Sequence, residues 1–190
     1  MVVIIMGIDP VNVNWMACIF FGIACLVAGV NFLGIDNKPP EKVMPGIAVI
    51  HMFVGIMLLF FVTPYSFLTT AMGNELFSMW VGTFWGFFGI TWLIIAFSIF
   101  KGTDLKPLSY HGLYAGSICI FYAISSFAWG LPPLFAYTFS VIFWVAAFLF
   151  FCLFPALRGR LRFLRIVGGC LVAEAALAYI VIIAGMSVVM

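Results

Sequence analysis

The 190-residue chain is 66% hydrophobic and 7% charged, with a formal net charge of +2. A soluble domain carries roughly 25% charged residues, so this composition excludes a water-exposed globule and calls for lipid around most of the surface. The few basic residues are not interleaved with aromatics as in a nucleic-acid groove, which removes nucleic acid as a partner.

The opening MVVIIMGI is apolar but short, has no basic residue ahead of it and runs into Asp9-Pro10. It does not read as a cleavable signal, so insertion falls to the helices that follow. A span takes about 20 apolar residues, and the chain accommodates six, predicted at 15–33, 44–62, 76–100, 108–129, 134–154 and 163–186. The expected fold is all-α, a six-helix integral membrane bundle forming one domain over residues 1–190. Gly34 and Pro39-Pro40, Pro64, Gly102 and Pro107, Pro132-Pro133, and Pro155 with Gly159 mark the ends, because these residues stop or cap helices. Trp15, Tyr65, Trp80 and Trp129 sit near one set of helix ends and Tyr110 near the other, as amphipathic rings do at the headgroup level.

All eight basic residues lie in three of the connecting gaps: Lys38 and Lys42; Lys101 and Lys106; Arg158, Arg160, Arg162 and Arg165. The intervening gaps and both ends hold none. Loops that stay in the cytoplasm retain Lys and Arg during insertion, so both termini are expected to be extracytoplasmic.

Inside the predicted spans, Gly82 with Gly86 and Gly112 with Gly116 have the spacing that lets helices approach closely in lipid, within a subunit or between subunits. Cys18, Cys25, Cys119, Cys152 and Cys170 all fall in apolar segments, where packing is their ordinary use. Glu174 is the one acidic or basic side chain well inside a span. Placing it there costs at least about 2.5–3.5 kcal/mol on an insertion scale, so it must face protein or a polar path. In its neutral form it both donates and accepts a hydrogen bond. His51, midway along the second helix, is the next most unusual group, and a bond between His51 and Glu174 would satisfy both. His111, one turn into the fourth helix, reads as interfacial.

A metal centre takes three or four clustered ligands, and two histidines on different helices do not supply one. Asp36 and Asp104 lie in loops, far in depth from His51, so Ser/His/Asp chemistry is not supported either. No catalytic residues, metal or cofactor are expected. What remains is a path. Phe88, Trp92 and Ile95 share a face of the third helix with Thr91 and Ser98 beside it, and Tyr137, Ser140 and Trp144 share a face of the fifth. Packing or lipid contact is the ordinary use of such stripes. Combined with Glu174, they suit a small, planar, neutral solute, whose hydration stacking surfaces and sparse polar atoms replace.

At these residues the chain resembles the urea and amide channels of AmiS/UreI type. FGITWLIIAFS at 88–98, DLKPLSYHGLY at 104–114, IFWVAAF at 142–148, and Glu174 with Leu177 and Ile180 carry the similarity. The resemblance implies six helices with both termini outside, homohexamers with a pore in each protomer, and passive diffusion of urea, acetamide or formamide across the inner or plasma membrane of a microbe. It also implies pore positions: Phe88 and Glu174 match the family pattern, Trp144 matches a tryptophan, Trp92 replaces a tyrosine, Ser140 stands in for a second tryptophan and His51 for an asparagine. Tyr137 and His51 complete the candidate lining. The short gap after the second helix holds no histidine, so acid gating by the family's outer-loop histidines is not expected. An acetate/succinate channel is the alternative family, disfavoured because an anion wants a positive charge at membrane depth. An accessory subunit of a membrane complex is the non-transport alternative.

Overall fold

Three helices end at a glycine in the same way, and these ends gather at one face of the molecule. In the computed structural model, which describes residues 10–35, 40–68, 75–131 and 133–189, Gly34, Gly102 and Gly159 have φ of 75°, 61° and 89°. Each closes a paired turn: Gly34 N–H to Asn31 O with Ile35 N–H to Val30 O, Gly102 to Ile99 with Thr103 to Ser98, and Gly159 to Ala156 with Arg160 to Pro155. This is the Schellman arrangement, which satisfies carbonyls a helix leaves open and favours a residue without Cβ at the left-handed position. Lys101, Lys106 and the four arginines lie beside these turns and are exposed. Lys38 and the opening MVVIIMGI lie outside the described residues.

The elements in chain order are α1 (Pro10–Leu33), α2 (Pro40–Ile56), a π-helical segment (Met57–Val62), α3 (Thr63–Leu68), α4 (Glu75–Lys101), α5 (Leu108–Ser125) with a 3-10 turn (Ser126–Ala128), α6 (Pro133–Leu157) and α7 (Leu161–Val189). The described residues contain no strand. Six stretches are long and apolar enough to cross a membrane, each where the sequence predicts one. The second runs past the expected residue 62 to Leu68, and its π-helical turn has an identifiable cause. Pro64 has no N–H and its ring would crowd the carbonyl four residues back. The chain widens to i, i+5 pairing instead: Leu58 O accepts both the Thr63 backbone N–H and the Thr63 hydroxyl at 2.7 Å. The helix thus continues past proline rather than stopping.

Lipid tails are as apolar as the helix surfaces, so close backbone contact replaces hydrophobic driving force between them. α1 and α7 meet at Gly29 and Gly168. A Cβ on Gly29 would lie 2.8 Å from Gly168 O, and one on Gly168 would lie 2.9 Å from Gly29 O, so any larger residue forces the helices apart. Gly82 accepts the Phe67 ring and Gly86 accepts Thr63, each 3.2 Å from a built Cβ. Gly112 and Gly116 meet Phe150 O and the Phe151 ring at 3.0 Å. Both glycine pairs singled out in the sequence therefore pack helices within the chain.

Candidate functional site

The packed helices leave space between them, and α1, α2, α4, α5, α6 and α7 surround a cavity of about 410 Å3. Its volume falls in the roughly 300–1,000 Å3 range of small-molecule sites. One end reaches the basic face, where Phe32, Met44, Leu105, Leu157 and Leu161 line it. The other ends near mid-depth at Phe21, Phe88 and Glu174. Glu174 is thirteen residues from the start of α7, about 20 Å at 1.5 Å per residue. Beyond Phe21 and Glu174, which line both spaces, lies a second cavity of about 20 Å3 walled by Phe84, Trp85, Phe139 and Ile142. It has room for about one water molecule.

The partition between the cavities is built of rings. Phe21 and Phe88 meet edge to face at 5.4 Å, while Phe84 and Phe88 at 4.5 Å and Phe88 and Phe150 at 5.7 Å pack at a tilt. Offset and edge contacts of this kind add about 0.5–1.5 kcal/mol each beyond burial, so the rings hold one another in place. Below them, His51 packs on Trp92 with centroids 4.3 Å apart and planes inclined by 34°.

Polar groups on the wall divide into two kinds. His111 is partnered. Thr91 gives its one hydroxyl hydrogen to Phe87 O at 2.9 Å, so at the 2.9 Å contact with His111 Nε2 the imidazole must be the donor. Phe87 stacks on the same ring at 5.7 Å. By contrast, both ring nitrogens of His51, the indole nitrogen of Trp92 and both carboxyl oxygens of Glu174 are buried without a hydrogen-bond partner among the described residues. Such groups cost on the order of 1–3 kcal/mol each. The expected bond between His51 and Glu174 is not made: both side chains line the cavity from separate helices, and His51 lies against Trp92 instead.

The mouth is pinned by Arg158. Its Nε donates to Ser109 Oγ at 3.2 Å, and its guanidinium lies 4.9 Å from the Tyr110 ring and 4.6 Å from the Phe154 ring. This ties the end of α6 to the start of α5.

Four residues singled out in the sequence, His51, Phe88, Trp92 and Glu174, come together on this cavity. Three do not. Ser140 is buried but lines neither space. Tyr137 and Trp144 are 63% and 49% exposed and line neither cavity. They share a helix face as predicted, but α6 turns the opposite face, with Phe143, Ala146, Ala147 and Phe150, into the bundle. His111, three residues into α5, also lines the cavity wall. Phe21, Cys25 and Phe150 escape sequence reasoning. Phe21 had a signal: it is the one large ring on a face of α1 otherwise made of Ala17, Ala24, Cys25 and Ala28, all buried.

Residues 16–186 match the family of AmiS/UreI family transporters. Neither comparison with curated proteins nor comparison with solved structures gives a match. With six membrane-length helices around an aromatic cavity and a family match over nearly its whole length, the chain belongs to the AmiS/UreI transporter family.

Proposed function

We propose that the protein is a passive channel for small neutral amides such as urea, acetamide and formamide, with one path through each protomer. The observation that carries this is the joining of the ring partition to Glu174, His51 and Trp92, buried polar groups without protein partners on a mostly apolar wall. Aromatic faces accept a planar solute, and the sparse polar atoms receive its N–H and C=O groups. The described basic side chains that could attract an anion, Lys42, Lys101, Lys106 and the arginines, are exposed and off the cavity wall, so a neutral solute is favoured over acetate.

On this proposal Phe21, Phe88 and Trp92 form the constriction, and Glu174 bonds the amide nitrogen. The basic face is cytoplasmic and both termini lie outside, in a microbial inner or plasma membrane. The outward stripe of α6, Tyr137 and Trp144 included, is then available to contact lipid or the next protomer of a homohexamer. Movement of a solute across the partition requires the rings to shift, because the space beyond holds about one water.

Stopped-flow light scattering on proteoliposomes tests the proposal. Urea and acetamide should equilibrate faster than in protein-free liposomes. Equal rates with correctly assembled protein would sink it.

A further inference from the structure

Two polar rings on different helices lie against each other at the cavity wall with hydrogen-bonding capacity that the protein does not use. His51 on α2 and Trp92 on α4 are 2% and 7% exposed, and their rings pack at a tilt with centroids 4.3 Å apart. His51 Nδ1 and Nε2 and Trp92 Nε1 make no full hydrogen bond among the described residues. The Ala24 carbonyl engages the His51 ring only loosely, outside that geometry. A carbonyl attracts the N–H side of a neutral imidazole, which leaves the other ring nitrogen as a lone-pair acceptor. An indole nitrogen is a donor only. The packed pair therefore carries one acceptor and one donor.

The complementary group is the edge of a primary amide or urea on which C=O and an N–H point the same way. We infer that His51 and Trp92 together bind this edge, His51 accepting the syn N–H and Trp92 Nε1–H donating to the carbonyl. His51 thereby selects solutes with an unsubstituted amide nitrogen. The inference rests on the amide-channel function proposed above and adds a rule to it. A secondary amide prefers the trans form, which puts the N-substituent on the side of the carbonyl oxygen. In 1,3-dimethylurea both syn positions hold methyl groups, so the edge is blocked although N–H and C=O groups remain. His111 is engaged elsewhere, bonded to Thr91 through Nε2 and stacked on Phe87 rather than on Trp92. Glu174 lines the same cavity with both oxygens unpartnered and is placed to receive a remaining N–H.

The experiment measures urea and 1,3-dimethylurea flux in proteoliposomes by stopped flow. Wild type should conduct urea above the protein-free rate and prefer it over 1,3-dimethylurea. Loss of one hydrogen bond corresponds to about tenfold, so His51→Leu should lower the urea-to-dimethylurea ratio by about that factor. Trp92→Phe, which keeps a ring and removes Nε1–H, should do the same. His51→Asn supplies a planar acceptor and donor and should hold the ratio within about threefold of wild type. Urea flux with an unchanged ratio in both His51→Leu and Trp92→Phe overturns the His51–Trp92 assignment and leaves the channel standing. Absence of urea flux in wild type overturns the channel and the assignment together. If His51→Leu does not assemble by size exclusion, Trp92→Phe decides between the outcomes.

Discussion

Phe84, Phe88 and Trp92 on α4 and Tyr137, Val141, Trp144 and Phe148 on α6 follow the same helical spacing, yet the first group is 3–7% exposed and the second 49–63%. The difference lies in what the rest of each helix offers its neighbours. α4 presents Gly82, Gly86 and Gly89 to the second span, which lets Phe67, Thr63 and Leu59 close on it and leaves the ring stripe turned to the bundle interior. α6 packs through Ser140, Phe143, Ala146 and Ala147, and its stripe of Tyr137, Trp144 and Phe148 is left outside. In lipid both orientations leave apolar surface against apolar surroundings, so hydrophobicity does not choose between them. Small residues decide, by fixing which face can come close to a neighbour.

The sharpest way to break this comparison is to truncate one ring from the inner stripe. Phe88 contacts Phe21, Phe84, Phe87 and Phe150, and Phe88→Ala should cost about 3–5 kcal/mol of stability, as buried Phe→Ala changes do. It also joins the two cavities, so selectivity between urea and larger solutes should fall. Thermal unfolding in detergent and a solute panel in liposomes measure both. Full stability with unchanged selectivity would mean that Phe88 is not part of the partition.

Glu174 tests the polar side of the same partition. Glu174→Leu removes the hydrogen bonds proposed for the amide nitrogen, and urea flux should fall by about tenfold, the equivalent of 1.4 kcal/mol. Glu174→Gln keeps a donor and an acceptor without the possibility of charge and should hold flux within about threefold. If Gln is as impaired as Leu, a negative charge is needed, and the solute is not simply recognised by neutral hydrogen bonds.

A smaller effect is expected one turn lower. Thr91→Val conserves shape while removing the oxygen that receives the His111 N–H, leaving a donor half-buried at the wall. The cost should be about 1–3 kcal/mol or less, since His111 is partly exposed. Unfolding of Thr91→Val, His111→Phe and the double variant gives the coupling energy. Additive costs would show that the 2.9 Å contact contributes nothing.

The helices were legible because the signals that set them are local: glycine and proline at the ends, apolar length, and basic residues confined to three gaps. The π-helical turn before Pro64 was not, because a proline signals interruption equally whether the chain stops or widens its hydrogen bonding. Within the site, Glu174 and His51 were found because a titratable side chain at membrane depth is unusual on any helix. Phe88 and Trp92 were found by spacing, which tells which residues share a face. The direction of that face depends on neighbours far away in sequence, such as Tyr122 of α5 against Phe143, so spacing alone does not show that Tyr137 and Trp144 face outward. The place of His111 on the cavity wall was not legible for the same reason: its distance from the helix end gives depth, while its partner Thr91 lies twenty residues earlier on another helix.

The smallest expected effect is the most discriminating. Trp144 is 49% exposed and lines neither cavity, so Trp144→Ala should change the urea-to-acetamide ratio by less than about twofold. Its stability cost in a monomeric state should stay within about 0.5 kcal/mol, as for surface changes away from special features. Resemblance of IFWVAAF to the family's helix-five segment implies the opposite, a shift in selectivity. The two expectations cannot both hold. A changed ratio would place the outward face of α6 on the solute path, and that requires α6 to be rotated relative to the packing of Phe143, Ala146 and Ala147 described above. An unchanged ratio together with altered oligomeric state on size exclusion would instead locate Trp144 at a contact between protomers, leaving the path to the inward faces of the helices, that of α6 with Ala146 and Phe150 included.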